Sequence, residues 1–236
     1  MARPAAQPGR RDVHACPGTS FSEANGSDTP RTPVSIEAIL FDLGGVILRT
    51  EHQAPREHLA ERLDLSYEDL VRLVFESESA RKASLGMIPA QKHWENVAAR
   101  LSRPASEIGR IRDEFFGGDI LDRELLALIR SLRPARRTGL ISNAWLDLRD
   151  YVVKNRFADA FDSIIISAEV GLLKPDPQIF ALALRQLGAT PQQAVLVDDT
   201  LANVEAANNL GMRGLLFQSP QQAQRDLENI IQSTPR

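Results

Sequence analysis

Four polar segments, far apart in the chain, each follow a run of apolar residues. They are Asp42, Ser142-Asn143, Lys174 and Asp198-Asp199. If the apolar runs are buried parallel strands, these polar groups should lie together, because the carboxyl ends of such strands meet at one edge of a sheet. Three carboxylates in one place repel one another and raise one another's pKa values unless cations compensate their charge.

A single lysine does not balance three aspartates, so the pattern predicts a bound cation. Mg²⁺ suits a site with few carboxylates, water and a substrate phosphate. Mg²⁺ and Lys174 would screen a phosphate from an attacking carboxylate, and the Ser142 hydroxyl and backbone N–H groups would hold its oxygens. Asp42 as the nucleophile would give an aspartyl-phosphate, which water then hydrolyses.

Each segment taken alone has an ordinary structural interpretation. Asp42 resembles a turn residue after a strand, Asp198-Asp199 resembles a helix N-cap, and Lys174-Pro175 resembles a surface loop. The occurrence of all of them at successive strand ends favours the catalytic interpretation.

The elements that position these residues can be predicted from the apolar patterns. Helical patterns separate the apolar runs, and one helix is predicted to begin at Asp176-Pro177 and to end at Gly188. Another is predicted from a shared apolar face (Leu121, Leu125, Leu128, Ile129 and Leu132). This alternation predicts an α/β fold with a doubly wound parallel sheet. The predicted strands cover residues 36–42, 137–142, 163–167, 194–198 and 213–217.

The chain is predicted to divide into three parts. Residues 52–118 show helical periods and no convincing strand, which predicts an all-helical cap inserted into the core. The core then comprises residues 35–51 and 119–236. Residues 1–34 are rich in Pro, Gly, Ala, Ser and Arg and have no apolar period, so we expect a disordered tail.

Composition limits the classes of partner. The chain has 236 residues and a net charge of −3, which does not favour binding to nucleic acid or to an anionic membrane. No apolar run approaches the roughly 20 residues of a membrane span, and the N-terminus lacks the apolar segment of a secretory signal. Cys16 is the only cysteine, so we expect a reducing compartment, the cytoplasm. The sequence does not indicate the oligomeric state.

The polar segments also resemble the motifs of a known family. Asp42-Leu-Gly-Gly-Val, Ser142-Asn143, Lys174-Pro-Asp and Val197-Asp-Asp-Thr-Leu-Ala-Asn are similar to the four motifs of the haloacid dehalogenase (HAD) superfamily. The resemblance covers nearly the whole chain from about residue 35 and includes the inserted helical cap. It is strongest to a subgroup of sugar-phosphate phosphatases whose first motif reads Asp-Leu-Gly-(Gly/Asn)-Val.

The resemblance implies roles for the residues of the site. Asp42 would be the nucleophile and a Mg²⁺ ligand, and Gly44 would offer its backbone carbonyl to the metal. Asp199 would be the direct acidic ligand, and Asp198 would help to hold the metal or its waters. The role of Asn203, which stands where many members have a second acid, is left open. Phosphate would be bound by Ser142, Asn143 and Lys174.

One position departs from the family pattern. Most phosphatases of this family have a second aspartate two residues after the nucleophile, which protonates the leaving group, and here that position is Gly44. General acid–base catalysis contributes about 10²–10⁴ in rate. We therefore expect a substrate with a good leaving group, such as an anomeric sugar phosphate or an acyl phosphate. His52 is a candidate substitute, although a solvent-facing histidine is the simpler interpretation.

Several functions share this pattern. We favour a Mg²⁺-dependent phosphatase of a small phosphorylated metabolite, with a sugar phosphate as the expected substrate. The alternatives are a metal-independent 2-haloacid dehalogenase, which also lacks the second aspartate but usually lacks the acidic pair, and a non-catalytic binding protein. A phosphomutase would need the acid that Gly44 lacks.

Overall fold

A computed structural model describes residues 35–133 and 135–233. The predicted tail, residues 1–34, lies outside the described residues. Within the described ranges, no helix combines the length and apolar character that a membrane crossing requires.

The core is built on a five-stranded parallel sheet, which confirms the predicted fold class. All five predicted strands are present. They are β1 (Ala38–Phe41), β4 (Arg137–Ser142), β5 (Ser163–Ile166), β6 (Ala194–Asp198) and β7 (Arg213–Leu216). Their spatial order is β5-β4-β1-β6-β7, so β1 is central and pairs with β4 on one side and β6 on the other.

The helices of the core cover both faces of the sheet, as a doubly wound fold requires. Alternate residues of β1 point to opposite faces: Ile39 and Phe41 pack in one apolar cluster, and Ala38 and Leu40 pack in the other. The core helices are α6 (Arg123–Leu132), α7 (Leu148–Lys154), α9 (Pro177–Leu187), α10 (Leu201–Asn209) and α11 (Pro220–Gln232). The first cluster includes residues of α6, α7 and α11, and the second includes residues of α9 and α10.

Helix α9 begins and ends where the sequence predicts. The Asp176 side chain accepts a hydrogen bond from the backbone N–H of Gln178, and Pro177 occupies the first helical position. Gly188 ends the helix with a φ of 60°, a left-handed conformation that favours glycine. The placement of Leu121 on the apolar face of α6 is wrong, because Leu121 belongs to a strand and Asp122 caps the helix after it.

Five α-helices and one short 3-10 helix lie between residues 52 and 118, in the segment predicted to be a cap, and we call this helical segment the cap. All of these α-helices except the third contribute to one apolar cluster, in which Trp94, Phe115 and Leu70 are fully buried. Pro89 is the N-cap residue of the fourth of these α-helices. The helices are α1 (Ala54–Arg62), α2 (Tyr67–Phe75), α3 (Glu78–Ser84), α4 (Ala90–Arg100) and α5 (Ile108–Phe115).

A two-stranded antiparallel ribbon joins the cap to the core. It pairs β2 (Leu48–Thr50), which leads into the cap, with β3 (Asp119–Leu121), which leads out of it. The two connections therefore run side by side. Neither strand is predicted from the sequence.

Candidate active site

The predicted site residues lie at the carboxyl edge of three adjacent strands. Asp42 directly follows β1, Ser142 is the last residue of β4, and Asp198 is the last residue of β6. Because β4, β1 and β6 are neighbours in a parallel sheet, their ends meet at the same edge. Asp42, Ser142 and Asp198 are all buried.

Lys174 ties two of the carboxylates together. Its Nζ lies 2.8 Å from Oδ1 of Asp42 and 2.7 Å from Oδ2 of Asp198, and its side chain is almost fully buried. The lysine is brought there by the short helix α8 (Ser167–Val170), which follows β5. Gly171 ends this helix with a φ of 68°, and the chain then turns towards the edge of the sheet.

Burial governs the charge state of this cluster. It raises the pKa of Asp42 to about 6, with Asp198 adding to the shift and the ion pair with Lys174 opposing it. Burial alone would lower the pKa of Lys174, but the two carboxylates raise it above its ordinary value, so the ammonium stays charged. One lysine therefore leaves the carboxylates with an excess of negative charge.

Asp198 is held by hydrogen bonds at both of its oxygens. Oδ2 accepts from Lys174, and Oδ1 accepts from the backbone N–H of Thr200 and from the side-chain amide of Asn203, each at 2.9 Å. Asn203 is buried in the first turn of α10. Asn203 therefore orients the carboxylate of Asp198. The sequence alone does not indicate this role.

Asp199 is exposed, in contrast to Asp198. Although the residue is exposed, its carboxyl group is partly buried, and this partial burial, followed by the charge of Asp198, raises the pKa of Asp199. Its carboxylate lies against Gly45, where a Cβ atom would overlap it, and Gly45 has a φ of 74°. The glycine thus lets the turn after β1 approach this carboxylate closely.

The three aspartates fit a hard divalent cation. One carboxylate oxygen from each of Asp42, Asp198 and Asp199 lies within 4.8 Å of the others. Oxygen donors in this number suit Mg²⁺ with waters and a phosphate in its remaining positions. Asp42 and Asp199 are the better donors, because both oxygens of Asp198 already accept hydrogen bonds.

The segment after β4 is fixed to the segment that carries Lys174. The side-chain amide of Asn143 donates to the carbonyl of Lys174 at 2.9 Å, and its Oδ1 accepts from the backbone N–H of Lys174 at 2.8 Å. The predicted binding of phosphate by Ser142 and Asn143 stays a prediction. The structure adds that the Asn143 side chain positions the lysine.

Sequence reasoning missed Ser167, which holds the same loop. Its hydroxyl is buried, accepts from the backbone N–H of Ala144 at 2.9 Å and donates to the Ala144 carbonyl at 3.1 Å. No sequence signal indicates this contact, because Ser167 and Ala144 are far apart in the chain. By contrast, the candidate acid His52 is exposed and lies at the start of the cap.

Comparison with known proteins connects this geometry to one family. The model of the haloacid dehalogenase-like hydrolases matches residues 36–211. Bifunctional epoxide hydrolase 2 of Rattus norvegicus is 25% identical over 84% of this chain, which spans 39% of that relative's length.

Two relatives of similar length are phosphatases. Sesquiterpene phosphatase astK of Aspergillus oryzae is 26% identical over 77% of this chain and 89% of its own length. The phosphorylated carbohydrates phosphatase of Thermotoga maritima is 27% identical over 75% of this chain and 82% of its own length.

Solved structures share the fold. A HAD-family enzyme of Bacteroides thetaiotaomicron, in complex with magnesium and inorganic phosphate, is 21% identical with a TM-score of 0.67, over 78% of this chain and 95% of that one. The L-2-haloacid dehalogenase of Xanthobacter autotrophicus, with chloropropionic acid covalently bound, is 20% identical with a TM-score of 0.59, over 82% and 83% of the two chains.

Proposed function

This chain belongs to the haloacid dehalogenase-like hydrolase family, and on that basis we propose that it is a Mg²⁺-dependent phosphatase of a small phosphorylated metabolite. The observation that carries the proposal is Lys174, which lies between the buried carboxylates of Asp42 and Asp198 with Asp199 beside them. The phosphatases among the relatives support the same activity. A sugar phosphate is the first substrate class to assay.

Asp42 is the nucleophile in this proposal. Within the described residues, Oδ1 of Asp42 accepts the hydrogen bonds, one from Nζ of Lys174 and one from the backbone N–H of Leu43. Oδ2 is therefore available to attack. The new bond joins a carboxylate oxygen to phosphorus, and the bond from phosphorus to the alcohol oxygen breaks. Water then attacks phosphorus, which releases phosphate and restores the Asp42 carboxylate.

Lys174 and the loop after β4 position the phosphoryl group. Lys174 holds Asp42 in its charged form and offers a fixed positive charge to the phosphate oxygens. Ser142 and the backbone of Asn143 lie at the adjacent strand end and are the proposed donors to the remaining oxygens. A cation held by Asp42, Asp199, the Gly44 carbonyl and, through its waters, Asp198 would supply charge neutralisation on the phosphoryl group.

The leaving oxygen receives no proton from the position two residues after the nucleophile, because Gly44 has no side chain. Solvent then supplies that proton. This favours substrates whose leaving group needs little protonation, such as anomeric sugar phosphates or acyl phosphates.

A 2-haloacid dehalogenase is the second candidate, since one solved neighbour with the same fold has that activity. The feature that favours phosphate transfer is Asp199, a carboxylate that a halide-releasing site does not need. The test is a substrate panel of phosphomonoesters, with Mg²⁺ or with EDTA, and with 2-chloropropionate as the control. We expect phosphate release that EDTA abolishes; metal-independent halide release would replace the proposal with the second candidate.

A further inference from the structure

Two segments that carry proposed phosphate-binding groups are bonded to each other. Asn143 exchanges two hydrogen bonds with the backbone of Lys174. One residue further on, the Ser167 hydroxyl bonds both the N–H and the carbonyl of Ala144, and the same carbonyl accepts from the backbone N–H of Ala168 at 3.3 Å. The loop after β4 and the segment from α8 to Lys174 therefore form one bonded unit.

The cap contacts this unit on the side of the loop, through Trp145. The Trp145 ring packs against the apolar cluster of the cap. Its centroid lies 4.6 Å from that of His93 and 5.7 Å from that of Trp94, both on α4. The Trp94 and Trp145 rings meet edge to face at 89°, a favourable arrangement for aromatic pairs. Withdrawing Trp145 from the cap would expose apolar surface, so the cap holds this end of the loop in place.

The cap contacts the same unit a second time, on the side of α8, through Gly86. This glycine follows α3 and has a φ of 71°. A Cβ atom at Gly86 would overlap the carbonyl oxygen of Ala168, which is a buried residue. The backbone of the cap thus lies directly against the backbone of α8, an approach that a side chain would prevent.

The two contacts flank the hydrogen bonds that hold the unit together. Trp145 directly follows Ala144 in the chain, and Gly86 packs on the residue that directly follows Ser167. We propose that docking of the cap sets the position of the phosphate-binding groups, so that the affinity of the core for phosphate itself depends on the cap. This inference rests on the proposed phosphatase function and concerns the regulation of the same site. Coupling between two binding events is reciprocal, so phosphate in turn strengthens the docking of the cap.

Hydrogen–deuterium exchange of the wild-type chain tests the reciprocal effect without any variant. Exchange is followed in Mg²⁺, with and without saturating inorganic phosphate, a ligand that has no alcohol part. We expect phosphate to slow exchange in residues 78–100, which contain α3 and α4, more than in α11, which reports any general stabilisation. Protection in residues 78–100 that does not exceed the protection of α11 would overturn the proposal.

Variants then test whether each cap contact supports phosphate binding. Gly86→Ala separates the cap from α8, and Trp145→Ala removes the ring from the cap cluster. Neither change removes a group that is proposed to bind phosphate or metal. We expect each variant to bind inorganic phosphate in Mg²⁺ at least about fivefold more weakly in titration calorimetry. Trp145→Phe keeps an aromatic ring and should recover most of the affinity.

Gly109→Ala is the matched control for a glycine of the cap. Gly109 lies on α5, and a Cβ atom there would meet nothing within 4 Å. Its substitution should therefore leave the affinity for phosphate unchanged. Circular dichroism shows whether each variant folds, and the exchange experiment on the wild type decides the question if one of them does not.

The outcomes separate this proposal from the proposed function. If folded Gly86→Ala and Trp145→Ala bind phosphate within about twofold of the wild type, the coupling is wrong and the phosphatase proposal stands. An equal loss of affinity in Gly109→Ala would also overturn the coupling. If the wild-type chain binds no phosphate in Mg²⁺ and releases none from phosphomonoesters, the phosphatase proposal fails, and the coupling fails with it.

Discussion

Gly44, two residues after Asp42, has room for a side chain. A Cβ atom at this position would meet nothing within 4 Å, and Gly44 is not among the glycines with a positive φ. The next residue differs, because a Cβ at Gly45 would overlap the carboxylate of Asp199. Of the two adjacent glycines, only Gly45 therefore has a steric reason to be glycine.

The open space at Gly44 predicts a gain of function. Gly44→Asp would place a carboxyl group where the leaving oxygen needs a proton, and general acid catalysis contributes about 10²–10⁴ in rate. We expect kcat for phosphates of primary alcohols, which are poor leaving groups, to rise at least about tenfold. Steady-state phosphate release measures this change.

Two substitutions control that experiment. Gly44→Ala fits the same space without an acid and should give no gain. Gly45→Ala should reduce activity, because its Cβ displaces Asp199. If Gly44→Asp and Gly44→Ala have the same kcat on phosphates of primary alcohols, the lack of an acid at residue 44 does not limit the rate of hydrolysis.

The raised pKa of Asp42 predicts a stability effect that depends on pH. The pKa of Asp42 is about 6 in the folded protein, against an ordinary value of 3.8, so folding shifts this carboxyl group towards its protonated form relative to the unfolded chain. Its contribution to stability is present below the ordinary value and is lost as the pH rises through about 6. The asparagine in Asp42→Asn does not ionise, so this variant does not lose stability at this position as the pH rises.

Thermal unfolding of the metal-free protein in EDTA measures the difference. We expect Asp42→Asn to unfold at a higher temperature than the wild type at about pH 7.5, and the gap to close as the pH falls towards about 4. If Asp42→Asn instead unfolds at a lower temperature than the wild type at about pH 7.5, the stabilisation from the ion pair with Lys174 outweighs the cost of burying the carboxylate.

At the scale of elements, the strands were predictable and the ribbon was not. Each of the five core strands lies in a short apolar run, which is typical of buried parallel strands. Strands β2 and β3 have three residues each, and their pairing joins Thr50 to Asp119, far along the chain. The sequence predicts Leu121 on a helix because its spacing from Leu125 also fits a helical period.

An ion pair anchors this ribbon to the cap. Arg56, on α1, is buried; its guanidinium contacts both carboxylate oxygens of Asp119 at 2.8 and 3.0 Å and donates to the carbonyl of Phe115 at 2.7 Å. Thr50 donates to the same carboxylate at 2.7 Å. Both strands of the ribbon are therefore tied to the first cap helix.

Removing the arginine should destabilise the protein strongly. Arg56→Met keeps much of the packing volume but leaves Asp119 without its cation, and breaking a buried pair in this way costs about 3 kcal/mol or more. Chemical denaturation gives the free energy of unfolding. Lys82→Ala, which breaks the exposed pair with Glu78, is the control and should cause no measurable change.

At the scale of the whole molecule, cap and core have separate apolar clusters. Trp145 is a core residue that packs against the cap cluster, so it connects the two. The sequence placed the acidic and basic residues at the correct edge, because strand ends determine their position. The sequence pattern does not identify Asn203 and Ser167 as residues that support the site. It also does not identify Trp145 as the contact with the cap. These roles depend on partners that only folding brings together.

The central claim is that Asp42 accepts a phosphoryl group. The most direct measurement compares phosphate release by the wild type and by Asp42→Asn, with Mg²⁺, on a phosphomonoester that the wild type hydrolyses. We expect the variant to lose at least about 10⁴-fold in kcat, because loss of a covalent nucleophile removes the main reaction path. A variant that retains activity within about tenfold of the wild type would contradict the assignment of Asp42 as the nucleophile.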